Sequence, residues 1–83
     1  MSVDAIDIER GITNASEFEV GIKKKIIEIG QKVIIVADHT KFNKLALHKV
    51  ADLRDIDVII TSHELDSEYA EKLRETGVEI VLV

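Results

Sequence analysis

Eighty-three residues with a net charge of −5, 46% of them hydrophobic and 33% charged, fit one small folded domain. A chain of this size buries only about 60–65% of its unfolded surface, so its stability should be modest and a partner subunit would help. Four Gly and no Pro leave little for a linker, and the absence of Cys excludes disulfides, thiolate nucleophiles and thiolate metal sites.

The start, MSVDAIDIERG, carries acids inside its first ten residues and reads as no secretory signal. No run approaches the roughly 18 apolar residues of a membrane helix, so the expected compartment is the cytoplasm, with no membrane partner. Val3, Ile6, Ile8 and Ile12 give a weak strand pattern, read as a strand end followed by a turn at Gly11.

Ser16-Glu17-Phe18-Glu19 then forms a capping-box pattern, with Ser16 accepting an early amide and Glu19 reaching back. Phe18, Ile22, Ile26 and Ile29 recur at helical spacing, and Gly30 stands where a left-handed stop would fall, predicting about three and a half turns with that apolar face inward. Lys23, Lys24 and Lys25 spread over about 200° of this helix, which makes a solvated surface a better reading than a basic patch. Lys23 also lies one turn after Glu19, at ion-pair spacing.

VIIVA at 33–37, VIIT at 58–61 and VEIVLV at 78–83 are short, β-branched and nearly continuous, as in parallel strands covered on both faces. Between the first two, a short helix near 43–50 and a turn around Ala51–Asp55 are predicted, with His48 on the helix surface. Between the second and third, Asp66 or Ser67 caps a helix with Tyr69, Ala70 and Leu73 inward, ending at Gly77. The expected fold is therefore α/β, a three-layer parallel sheet in the order α-β-α-β-α-β, forming a single domain over residues 1–83.

Ligands in such sheets bind beyond the carboxyl ends of the strands. That edge receives Asp38, His39, Thr40 and Lys41 from the first strand and Thr61, Ser62, His63 and Glu64 from the second, and nothing from the third. Asp38 and Lys41 offer an acceptor and a cation suited to a sugar hydroxyl and a phosphate; equally, Asp38 merely caps the next turn and Lys41 is solvated. His39 and His63 bring to mind a metal or acid–base pair, but three or four convergent ligands are wanted and none is apparent, so no metal is expected. No catalytic spacing or Gly-rich phosphate loop occurs, and no catalytic residue or cofactor is expected. Residues 43–83 hold nine acids against five Lys and Arg, a poor surface for nucleic acid.

The stretch IIVADHTKFNKLALHKVADLRDIDVIIT resembles the C-terminal effector-sensing domain of DeoR-type bacterial transcriptional repressors: an apolar strand, Asp-x-Ser/Thr-Lys-Phe, a link, then Ile-Asp-x-hydrophobic-hydrophobic-Thr. VDAIDIERGIT and FEVGIKKKIIEIGQKVIIVAD are similar to the segments that precede it. The resemblance implies a fold related to ribose-5-phosphate isomerase, glucosamine-6-phosphate deaminase and the CoA transferases. It also implies a phosphorylated sugar as effector, and DNA contact only through an N-terminal winged helix-turn-helix. On the matching positions Asp38 and Lys41 are implied effector ligands, with Thr61 and Glu19 as further contacts. The family's sensor is about twice this length, so its first half and the DNA-binding domain are expected to lie outside this sequence. Ser62 replaces a family Asp, Ala5 a Gly, and Gly21 a helix acid. The resemblance thus favours a regulatory module that is expected to be a homo-oligomer. Its rivals are an isomerase- or deaminase-like enzyme fragment and a structural fragment that dimerises through an exposed sheet edge.

Overall fold

Two three-stranded sheets carry the fold in the computed structural model, which describes residues 1–83. In the first, β1 (Ala5–Asp7), β2 (Gly11–Asn14) and β4 (His48–Ala51) run antiparallel in the order β1-β2-β4. In the second, β3 (Ile34–Val36), β5 (Val58–Thr61) and β6 (Glu79–Leu82) run parallel in the order β3-β5-β6. Helix α1 (Glu17–Ile29) joins the sheets, and α2 (Ser67–Glu75) crosses from β5 to β6.

The α/β class holds, while the single parallel layer does not. No helix forms over 43–50. Instead a 3-10 turn at His39–Lys41 leads to β4 and then to a second 3-10 turn at Leu53–Asp55. The cause is pairing over long sequence separation: β4 lies against β2 with Thr13 opposite Lys49 and Ile12 opposite Ala51, and Ala46 N–H donates to Thr13 Oγ1 at 2.9 Å. This ladder buries Val50 and Ala51 and leaves Leu45 and Leu47 exposed, so a helix over 43–50 would have no core to face. His48 accordingly sits in β4 opposite Asn14 and not on a helix.

The N-terminal pattern resolves into a hairpin, with its turn before Gly11. Asp7 Oδ2 accepts from the amides of Glu9 and Arg10 at 3.1 and 2.9 Å, closing the turn. Gly11 opens β2 at φ 78°, where a Cβ would run into the Ala51 carbonyl, so both conformation and space demand glycine.

Helix α1 starts as predicted, with Ser16 Oγ accepting from Glu19 N–H at 3.4 Å. Glu19 does not reach back to complete a capping box; its carboxylate lies 3.4 Å from Asn14 Nδ2. Gly30 ends the helix in extended backbone and not in a left-handed turn, its N–H donating to Ile26 O at 2.9 Å. The predicted inner face is also turned around. Val20 is buried and Ile27 half-buried on the core, while Phe18, Ile22, Ile26 and Ile29 face outward. Helix α1 packs on β2 and β4, a narrow sheet that covers only the stripe spaced seven residues apart. Helix α2 follows prediction: Asp66 Oδ2 accepts from Tyr69 N–H at 3.1 Å, Ala70 and Leu73 are buried, and Gly77 takes φ 99°.

Across the parallel sheet, Ile35, Ile59 and Ile80 stand in one row and are almost wholly buried. Each Ile buried in this way contributes about 1.5–3 kcal/mol. The opposite face is partly open, with Ile34 and Val36 exposed, so β3 is not covered on both sides. Asp57 sets the register: its Oδ2 accepts from Val33 N–H at 2.6 Å while Val33 O accepts from the amides of Asp57 and Val58 at 3.0 and 3.1 Å.

Ile59→Ala should therefore cost about 2–5 kcal/mol in urea unfolding through the cavity it leaves in the fully buried row. Asp57→Ala should cost about 1–2 kcal/mol, because the Val33 amide loses its acceptor, and should raise hydrogen exchange at Val33.

Candidate functional site

The parallel register brings the ends of β3 and β5 to one edge, since Val36 pairs with Ile60. A cleft of about 310 Å³ opens there, lined by Val36, Ala37 and Asp38 after β3, by Ile60, Thr61, Ser62 and His63 along and after β5, and by Val83. The third strand thus contributes after all, against the sequence expectation. Val83 N–H donates to Thr61 O at 2.9 Å, and Val83 O accepts from His63 N–H at 2.9 Å. His63 Nδ1 also lies 2.9 Å from Val83 O, which fixes the ring at the cleft rim. The two amide bonds are made by the backbone, which is why side-chain types in the sequence did not announce them.

Asp38 sits where the strand gives way to the 3-10 turn and caps it. Its Oδ1 accepts from Thr40 N–H at 2.8 Å and from the Thr40 hydroxyl. These two bonds hold the Asp38 carboxyl below its usual pKa, with Lys41 and His39 adding weaker electrostatic help. The carboxylate is therefore ionised across the physiological range, and Oδ2 has no protein partner. Its capping role and its exposure at the cleft coexist in one side chain.

Thr61 ends the central strand and is one of the residues that line the cleft. It is only 2% exposed, and its Oγ1 has no hydrogen-bond partner. A buried hydroxyl left unpaired costs roughly 1–3 kcal/mol, and this one lies on the Ile59 side of the strand. Ser62, in contrast, is used locally: its Oγ accepts from Glu64 N–H at 3.1 Å and lies 3.3 Å from Glu64 Oε1.

Of the four residues singled out from the sequence, the fold brings Asp38 and Thr61 together at this cleft. Lys41 is in the same 3-10 turn, its N–H donating to Asp38 O at 3.2 Å, but its side chain does not line the cavity. Glu19 lies on α1 beside Asn14, away from it. His39 and His63 do not converge. His39 Nε2 is 3.7 Å from Glu64 Oε2, half-exposed, and borders a separate depression with Phe42, Asn43, Leu65 and Tyr69. Asn43, at φ 56°, turns the chain away after Phe42, and the Phe42 ring meets Tyr69 edge-on at 6.1 Å. The arrangement offers acceptors and hydroxyls for recognition.

Comparison with known proteins agrees with a regulatory module. The chain is 40% identical over its full length to a protein provisionally named an aga operon transcriptional repressor of Escherichia coli O157:H7, and 42% identical over 99% of its length to one provisionally named an sgc region transcriptional regulator of Escherichia coli K12. It is also 37% identical over 99% of its length to the HTH-type transcriptional regulator IolR of Bacillus subtilis. It spans 31%, 32% and 33% of these relatives, about a third of each. The family is regulatory and not enzymatic. Residues 1–63 match the model of the DeoR C-terminal sensor domain, and the chain belongs to that family.

Proposed function

We propose that this chain is the effector-binding part of a cytoplasmic transcriptional regulator and that its effector is a phosphorylated sugar or a closely related metabolite. The observation that carries the reading is the strand-end cleft itself, which Asp38, ionised and with Oδ2 unpaired, lines together with Thr61, Ser62 and His63. Asp38 and Thr61 suit sugar hydroxyls: Asp38 accepts, and Thr61 donates or accepts. Lys41, one 3-10 turn beyond Asp38, is the cation nearest in sequence to this edge and is assigned to the anionic group, reaching it by rotation of its flexible side chain. Glu19, on α1 beside Asn14, is assigned a more distant role. No metal or cofactor enters this reading.

In the intact regulator, DNA is proposed to be contacted by a separate N-terminal helix-turn-helix, with the sensor altering it through a population shift between two states. The acidic balance of this chain supports that division, since a net charge of −5 is unfavourable beside a phosphate backbone. No helix of the chain is long and apolar enough to cross a membrane. The parallel β3-β5-β6 sheet with α2 as crossover supports kinship with the ribose-5-phosphate isomerase-like folds, and we assign residues 1–83 to one unit of such a domain. A homo-oligomer is part of the same proposal.

Titrating the chain with a panel of sugar phosphates while following amide shifts should move Asp38, Thr61 and Ser62 without converting the sugar. Absence of shifts at millimolar sugar phosphate, or turnover of the sugar, would overturn the reading. Lys41→Ala should leave unfolding free energy within about 0.5 kcal/mol of the parent, as a surface change, and weaken binding of any phosphorylated ligand far more than of its unphosphorylated analogue. Thr61→Val should raise stability by up to about 1 kcal/mol, because it removes an unpaired buried hydroxyl at constant shape, while weakening effector binding. A stability loss above that size would show that the hydroxyl is already satisfied.

A further inference from the structure

Asp38 and His63 are the only ionisable side chains among the eight residues that line the strand-end cleft. The His63 ring is held there by one contact: Nδ1 lies 2.9 Å from Val83 O, which also accepts from the His63 amide at 2.9 Å. A backbone oxygen accepts and does not donate, so the proton of the ring contact sits on Nδ1. In the neutral imidazole Nε2 then keeps its lone pair, and no group of the chain donates to it.

The charged neighbours of His63 are turned to other partners. Glu64 Oε1 lies 3.3 Å from Ser62 Oγ, and its Oε2 is 3.7 Å from His39 Nε2. Asp38 commits Oδ1 to the amide and hydroxyl of Thr40 and leaves Oδ2 free. The end of β3 thus supplies a carboxylate oxygen to the cleft and the end of β5 an imidazole nitrogen, both of them acceptors, beside the apolar Val36, Ile60 and Val83. No Lys or Arg lines this cleft. Two acceptors of this kind call for hydroxyl donors, whereas a phosphate placed between them would meet the negative charge of Asp38.

We propose that His63 is a specificity-determining contact of this site. Its Nε2 accepts from one hydroxyl of the ligand while Asp38 Oδ2 accepts from another. The hydroxyl-bearing part of a sugar phosphate therefore enters the cleft, and the phosphate stays outside it, where Lys41 stands. This rests on the cleft being the effector site and deepens that proposal by giving the ligand a direction. Val83 O is the positioning group: by holding the Nδ1 proton it selects the tautomer that leaves Nε2 an acceptor.

Long-range proton–nitrogen NMR spectra of the free chain at about pH 8, where imidazole is ordinarily neutral, should show His63 protonated on Nδ1. A proton on Nε2 instead overturns the contact with no ligand present and leaves the effector site itself untouched. The chain is then titrated with glucose 6-phosphate, fructose 6-phosphate and ribose 5-phosphate. A sugar phosphate that moves the Asp38 and Ser62 amides should also shift His63 Nε2. His63→Asn keeps a donor for Val83 O at the place of Nδ1 and lacks Nε2. It should melt with the parent yet bind that sugar phosphate about three- to tenfold more weakly, the loss of one hydrogen bond. The loss should fall equally on the unphosphorylated sugar, unlike that of Lys41→Ala, and His63→Gln, which places an acceptor near Nε2, should recover part of it. Amide shifts without a shift at Nε2, or a His63→Asn variant that binds as tightly as the parent, overturn the contact while the effector site stands. Absence of every shift overturns the effector site and the contact with it.

Discussion

The register of β5 against β3 is the constraint on which the rest of the molecule depends. Asp57 and Val33 exchange hydrogen bonds at the base of the two strands, and from there Ile35 falls beside Ile59 and Ile59 beside Ile80. A slip of one residue would turn this buried row outward and bring the isoleucines of the open face inward. The same register carries the chain, three residues later, to the edge where Asp38 and Thr61 meet. Packing at one end of the strands and the cleft at the other are thus set by a single alignment.

The antiparallel sheet serves a different purpose. Its three strands form the platform under α1, and they are held by contacts that are far apart in sequence, such as Ala46 N–H on Thr13 Oγ1 and the close passage of Gly11 under Ala51. Because the platform is narrow, it covers one stripe of α1 and leaves the other bare. Met1 fills part of the remaining gap, with its ammonium on Ile34 O at 2.6 Å and its carbonyl accepting from Val36 N–H at 3.0 Å, at the free edge of β3. The bare stripe and the open strand edge are the apolar and polar surfaces that these 83 residues leave uncovered.

At the strand-end edge, local chemistry and tertiary placement contribute separately. Asp38-x-Thr40 is a self-contained unit: the carboxylate caps its own turn and is kept ionised by the hydroxyl and amide two residues on, whatever the rest of the fold does. Thr61 is the reverse case. Nothing about a threonine at the end of VIIT says that its hydroxyl will be buried without a partner; that follows from how the chain packs around the end of β5.

The sequence by itself determined what is local or periodic. Ser16 and Asp66 capped the helices they were expected to cap, Gly77 took the left-handed turn, and the three β-branched runs became the three parallel strands, because each depends on neighbours within a few residues. The Asp-x-Thr-Lys-Phe motif placed the polar end of β3 at a strand edge for the same reason. Only the tertiary structure decided which of two apolar stripes of α1 faces inward, and that residues 48–51 extend against β2 in place of coiling into a helix. It also decided that Val83 closes the cleft while Lys41 and Glu19 stand outside it. In each of these the deciding partner lies well away along the chain, and hydrogen bonding across such separations leaves no periodicity in the residues it joins.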